Sequence, residues 1–184
     1  LSGIKYIKVF KGDDGKVKSP RVDMGAPVLS GREIPTLFDG DKVVGETLHL
    51  GGELGDKIVT CVSMGNPHCI TYVDDVKTLD LAKTGPVFEN NEMFPDRVNT
   101  EFIHIISETE FDMRDWERGS GERLACGTGA CASAVASVLN GYCLRNTDIK
   151  VNLIGGTLYI NWTNDGNVLM TGPAAEVCTG EIDV

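Results

Sequence analysis

Residues Gly127 to Asn140 read GTGACASAVASVLN, a helix-length run of small and apolar side chains with no charge anywhere along it. A helix of this kind has no polar face to give to water, so it has to be buried. That requirement constrains the fold more than any other stretch, because the remainder of the chain must wrap around it. The remainder reads mainly as β structure, which points to an α+β fold: a mostly antiparallel, barrel-like sheet around one central buried helix.

The strand signals are local. "IKYIKVF" alternates apolar and basic residues, "GDDG" reads as a turn and "KVKSPRVDMG" resumes an extended pattern, so residues 4 to 24 are expected to form a hairpin. Residues 25 to 56 read as loop with one short strand near "ETLHL". "KIVTCVSM" and "CITYVDD" are β-rich runs flanking a tight "GNPH", which places Asn66 and His68 at a loop tip. Two short helical turns are expected around "VKTLDLAK" and "PVFENNEMF", with Pro86 in a first turn, where its missing N–H costs nothing. "TEFIHIIS" and "EFDMRDWE" form a strand pair. "TDIKVNLI", "GTLYINW" and "NVLMTG" read as a meander turning on "GG" and "NDG", and "AEVCTGEIDV" as a last extended run.

Composition excludes several functions. A formal charge of -10 opposes a polyanionic partner, so nucleic acid is not expected. No stretch approaches the apolar length of a membrane span. The opening "LSGIKYIKVF" carries neither a starting Met nor a secretion signal and reads as a cut end. A cytoplasmic setting follows, in which the six cysteines (Cys61, Cys69, Cys126, Cys131, Cys143 and Cys178) are expected as free thiols. There is no CxxC, and the three histidines are scattered, so no metal is expected.

Chemistry concentrates at Cys126. A helix start presents unpaired N–H groups and partial positive charge, and Gly127, Thr128 and Gly129 could cradle a carboxylate there. The same field is expected to lower the Cys126 pKa toward neutrality. Several readings compete. Cys126 could be a structural thiol at a buried helix end. Gly127, Gly129 and Ala132, with Asp148 further on, could be a dinucleotide fingerprint, although "WERGSGERLA" is not the buried strand that such a motif follows. Cys126, His68 and Asn66 or Asn99 could form a cysteine hydrolase. Finally, Cys126 could move a proton at a carbon between an ammonium and a carboxylate, with Glu117 holding the ammonium and Arg118 a second carboxylate. Glu117 and Arg118 can share a site only if the strand ends or bends there, for which Gly119 is suited.

"WERGSGERLACGTGACA", "MGNPH" (Met64 to His68) and "RVNTEF" (Arg97 to Phe102) together closely resemble the diaminopimelate epimerase family, over most of the chain from "VDMGAP" to "GPAAEV". The resemblance implies interconversion of LL- and meso-diaminopimelate without pyridoxal phosphate, other cofactor or metal, by two cysteines on opposite faces of the α-carbon. Cys126 falls on the second of them. Gly127 and Thr128 would then offer N–H groups to the α-carboxylate, and Glu117 would receive the α-ammonium. Asn66, Asn99 and Arg118 would hold the distal carboxylate, and His68 with Glu117 would support the proton transfers. The family's first cysteine lies in a CGNG-type motif that these 184 residues do not contain. The chain therefore reads as the C-terminal part of the enzyme: 1–25 as terminal strands of the N-terminal lobe, 26–171 as a C-terminal lobe and 172–184 as a strand returning to the first. The expected partners are the small-molecule substrate, the N-terminal lobe and a second copy in a homodimer. Alone, the chain is expected to be inactive or nearly so. The alternatives are a related cofactor-independent racemase and a binding module that kept the fold without the chemistry.

Overall fold

Among the described residues, period-two alternation builds eleven strands into one sheet, and two helices pack on its opposite faces. The computed structural model describes residues 5–175 and 178–182. In chain order the elements are β1 (Ile7–Lys11), β2 (Val17–Asp23), β3 (Val44–His49), β4 (Asp56–Ser63), β5 (Pro67–Tyr72) and α1 (Leu81–Glu89). They continue with β6 (Asn99–Ser107), β7 (Glu110–Glu117), β8 (Gly121–Arg123), α2 (Gly127–Leu139), β9 (Ile149–Leu153), β10 (Gly156–Trp162) and β11 (Val168–Thr171). The expected hairpin, the β6–β7 pair and the β9–β10–β11 meander all form.

The sheet runs β1-β2-β11-β10-β9-β7-β6-β5-β4-β3, with the short β8 added to β7. The expected barrel is corrected: among the described residues the sheet is open, because β1 and β3 stand at its ends without pairing to each other. It is mostly antiparallel, as expected, but includes two parallel pairings, β5 with β6 and β7 with β9. Parallel neighbours require long connections, and these are the segments that carry α1 and α2. Local alternation cannot reveal which strand a connection returns to. The segment "AEVCTGEIDV" contains Glu176, Val177, Asp183 and Val184, which lie outside the described residues, and its described part belongs to no strand.

Helix α2 is buried as its composition requires. Every residue from Gly129 to Ser137 is buried, and the two hydroxyls in that stretch are satisfied within the core, Ser133 donating to Met113 Sδ and Ser137 accepting from Tyr72. The helix closes on a Schellman motif: Tyr142 N–H bonds Ser137 C=O, Gly141 N–H bonds Val138 C=O, and Gly141 takes φ +75°. Around α2, Val62, Ile70, Ile103, Phe111, Met113, Val151 and Ile160 form one core; across the sheet Leu81 and Phe88 of α1 join Val59, Cys61, Cys69 and Phe102 in a second.

Helix α1 replaces the two expected turns. Asp80 caps it by accepting from Lys83 N–H, so Pro86 lies inside the helix and not in its first turn. Burial of Leu81 and Phe88 outweighs the lost backbone bond in so short a helix.

Candidate active site

Strand alternation assembles the site. On β5 the residues facing α2 are His68, Ile70 and Tyr72; on β6 they are Asn99, Glu101, Ile103 and Ile105; on β7 they are Phe111, Met113, Asp115 and Glu117. Each stripe is apolar along its length and polar at one end, and the register aligns those ends, with His68 beside Asn99 and Glu101 opposite Asp115. The polar patch lies under the N-terminus of α2, where Cys126 is the helix cap.

His68 is therefore a buried strand residue and not part of a loop tip, a correction that follows from Pro67 already opening β5. Both its ring nitrogens are engaged: Nδ1 lies 2.6 Å from Glu101 Oε1 and Nε2 3.1 Å from Asn66 Oδ1. Asn66 in turn donates through Nδ2 to Thr128 Oγ1 at 3.3 Å, which orients its carbonyl toward the imidazole and makes His68 Nε2 a donor. Both nitrogens are so occupied, and neither bonds the Cys126 thiol directly, which the hydrolase reading requires of its base. The dinucleotide reading fails on topology, since the strand before α2 is the three-residue antiparallel β8.

Cys126 Sγ accepts the Gly129 N–H at 3.3 Å and lies 3.5 Å from Thr128 Oγ1. The first bond of the helix proper runs from Ala130 N–H to Cys126 C=O, so the Gly127 and Thr128 N–H groups precede the helical ladder, as an anion cradle requires. The expected lowering of the thiol pKa is overturned. Burial first, and the Glu101 carboxylate second, push Cys126 up to about 12, outweighing the bonds from Thr128 and Gly129, while hydrogen bonding to Glu117 adds to the rise. A helix terminus supplies only partial charge, and here full carboxylates oppose it.

Gly127 and Gly129 also have a role that the sequence did not suggest. A Cβ at Gly127 would lie 3.1 Å from Met170 Sδ, and one at Gly129 would lie 2.7 Å from Glu101 Oε1 and 3.2 Å from Cys126 Sγ. The glycines let the helix end settle directly onto β11 and β6.

Glu117 and Arg118 diverge as the strand ends. Gly119 takes φ +73° and Ser120 N–H bonds Glu117 C=O, forming the turn into β8. The turn is held by buried Glu89 of α1, which accepts from Gly119 N–H (2.8 Å), Trp116 Nε1 (2.7 Å) and Arg97 (3.1 Å). Arg118 donates its backbone N–H to Asn99 Oδ1, which brings those two residues together, but its guanidinium is held on Asp96 C=O. Glu117 stays at the thiol, with Arg123 Nε 3.8 Å from its carboxylate.

Glu101 and Asp115 were missed in the sequence, although the i, i+2 spacings Asn99/Glu101 and Asp115/Glu117 were there to be read. Both are buried, and Glu101 Oε2 and Asp115 Oδ2 have no hydrogen-bond partner among the described residues. Burial, then Glu101 and Glu117, raise the Asp115 carboxyl from 3.8 to about 7. Asp115, Glu117 and Cys126 each place a potential ligand atom within 4.8 Å of the others, a consequence of sharing one face of β7 beneath the helix cap.

Of the remaining thiols, Cys61 and Cys69 lie in one core and Cys131 and Cys143 in the other, whereas Cys178 is exposed. Limiting iodoacetamide near neutral pH is therefore expected to label Cys178 at least about tenfold faster than Cys126, read by peptide mass spectrometry. Faster labelling of Cys126 would mean that its thiol is not held in the protonated form.

The open mixed sheet with its buried helix is a fold shared with solved structures. It matches a predicted epimerase from Pseudomonas aeruginosa with a TM-score of 0.58 at 15% identity, covering 98% of this chain and 65% of that one. A probable proline racemase from Agrobacterium radiobacter matches with a TM-score of 0.68 at 14% identity, covering 94% and 55% respectively. Sequence similarity is more specific. The diaminopimelate epimerase of Bacillus licheniformis is 50% identical over 182 residues, and that of a Geobacillus strain 49% over 181; each comparison covers 98% of this chain and 63% of the relative. The family model for diaminopimelate epimerase matches residues 60–177, and the chain belongs to that family. It spans a little under two thirds of the length of these relatives. Among the described residues, no helix is long and apolar enough to cross a membrane.

Proposed function

We propose that this chain supplies one half of a diaminopimelate epimerase site, in which Cys126 is one of two thiols that exchange a proton with the α-carbon from opposite faces. The observation that carries this reading is the placement of Cys126 at the glycine-flanked start of α2, beside Glu117 and above the buried His68. A thiol pushed up to about 12 is the protonated partner, so Cys126 fits the acid that delivers hydrogen while a second cysteine, as thiolate, removes it from the other face. In the reverse direction the roles exchange, and configuration inverts without cofactor or metal.

The remaining roles follow from charge. The Gly127 and Thr128 N–H groups receive the α-carboxylate, and the partly exposed Glu117 carboxylate receives the α-ammonium. Pairing with that ammonium weakens the hold of Glu117 on the thiol proton and frees Cys126 for transfer. Asn66 and His68 position Thr128 and the helix end from below. Asn99 and Arg118 lie at the distal side, where Arg118 would have to leave Asp96 to clamp the second carboxylate. The substrate, an N-terminal lobe carrying the second cysteine and a homodimeric state in the cytoplasm belong to the same proposal. These 184 residues alone are expected to turn over little or no substrate, since one thiol cannot act on both faces.

The test is deuterium incorporation from solvent at the α-carbon of LL-diaminopimelate. The full-length protein is expected to exchange and invert, and Cys126→Ser to lower the rate about 10³-fold. A folded full-length protein that catalyses no exchange refutes the assignment.

A further inference from the structure

Three carboxyl groups crowd beneath one thiol, and their partners do not account for them. Glu101 spends Oε1 on His68 and leaves Oε2 without a partner among the described residues; Asp115, directly opposite in the β6–β7 register, leaves Oδ2 likewise. Neither side chain reaches solvent. His68 occupies Glu101 Oε1 at 2.6 Å through Nδ1 and is itself held at Nε2 by Asn66 Oδ1, so the Glu101 carboxyl is fixed in place with Oε2 turned away from the imidazole. Among the described residues no side chain holds Asp115 Oδ2 in the same way. The groups facing it are Glu101 from β6, His68 from β5, Glu117 from its own strand, Arg123 from β8, and Cys126 from the start of α2, while the charge of Glu122, which is bonded to Arg114 on the other face of β7, acts from further off. Arg123, the register partner of Asp115 and the cation among these, has its guanidinium beside Glu117. Two buried carboxyls that face each other with vacant oxygens are stabilised when one proton lies between them, and are costly when both ionise.

We propose that Glu101 and Asp115 form a buried acid pair sharing one proton, and that loss of this proton opposes thiolate formation at Cys126. The pair acts through Glu101, whose carboxylate lies against Gly129 on the same side as the Cys126 sulfur. Asp115 is thus a positioning residue. While the pair holds its proton, Cys126 faces one negative charge fewer; once Asp115 ionises, near pH 7, the thiol is harder to deprotonate and the site favours its acid form. The consequence for epimerisation rests on the reading of Cys126 as the reacting thiol, but the titration itself requires no substrate.

The experiment follows Cys126 alkylation by iodoacetamide from about pH 5.5 to about pH 9 in the full-length protein, by peptide mass spectrometry, for wild type, Asp115→Asn and Glu101→Gln. Thiolate formation alone gives a tenfold rise per pH unit. The wild-type profile is expected to flatten near pH 7 as Asp115 ionises. Asp115→Asn should remove the flattening, reacting at about the wild-type rate at pH 5.5 and about tenfold faster at pH 8.5. Glu101→Gln should move the flattening to lower pH, because Asp115 then ionises without its neighbour. A ratio of Asp115→Asn to wild type that does not change with pH overturns the proposal, as does a flattening that Glu101→Gln leaves in place. So does a wild-type profile altered by EDTA, which would mean that a cation and not a proton neutralises the pair.

Urea midpoints give a second readout that no purely structural role reproduces. An acid whose folded pKa is raised stabilises the fold fully below its unfolded pKa, near 4, and loses that contribution as pH rises through about 7. Wild type should therefore lose stability relative to Asp115→Asn between pH 4 and pH 8, and parallel midpoints would overturn the pair. Should alkylation show the step while α-proton exchange shows none, the pair stands and the catalytic role of Cys126 falls.

Discussion

Replacing Gly129 by alanine is expected to lower α-proton exchange by the full-length protein about 10²-fold while leaving the protein folded. The new methyl would lie 2.7 Å from Glu101 Oε1 and 3.2 Å from Cys126 Sγ, so one or both must move. Glu101 has nowhere to retreat, being fully buried and tied to His68 at 2.6 Å. The sulfur is the more mobile group, and displacing a reacting atom by as little as 1 Å costs about that factor. Stability should change less, because alanine gains about 1 kcal/mol in helix propensity over glycine, which offsets part of the overpacking. Measured exchange within threefold of wild type would show that the Cys126 sulfur tolerates displacement and that its placement is not the determinant assumed here.

Gly85→Ala is expected to have the largest effect on stability, a loss of about 3 kcal/mol in urea unfolding. Its Cβ would fall 2.2, 2.4 and 2.6 Å from three carbons of the Trp116 indole. Trp116 cannot shift without giving up its bond to Glu89, and Glu89 is the group that also fixes Gly119 and Arg97. The damage should therefore spread to the turn that sets Glu117 and Arg118. Combining Gly85→Ala with Trp116→Ala should cost less than the sum of the two changes, since the methyl then fills space the indole vacated. An effect of Gly85→Ala below about 0.5 kcal/mol would mean that α1 is free to move off the sheet.

The turn after Glu117 shows how far local rules carry. Gly119 was suited to end the strand, and it does, by taking a backbone conformation that other residues avoid. The buried helix was legible for an equally local reason: without a polar face it had only one stable location. Its C-terminus was correct to within a residue, because Gly141 supplies the left-handed position that a helix stop uses. Cys126, His68, Asn66, Asn99, Glu117 and Arg118 were singled out from their motifs, and the fold brings all of them to the patch beneath α2 or its immediate supports except the Arg118 guanidinium, which turns to Asp96.

What the sequence determined by itself was each element whose energetics close within a few neighbouring residues: strand alternation, the helix that must be buried, and the glycine stops. Tertiary structure alone decided the quantities that depend on residues distant in the chain. It placed Glu101 opposite Asp115 and both beneath Cys126, and so reversed the expected direction of the thiol pKa, because the field at a sulfur sums over every nearby charge and over its own burial. It also left the sheet open and made two of its pairings parallel, since the strand to which a connection returns is settled by packing across the whole sheet and not by the residues of the strand.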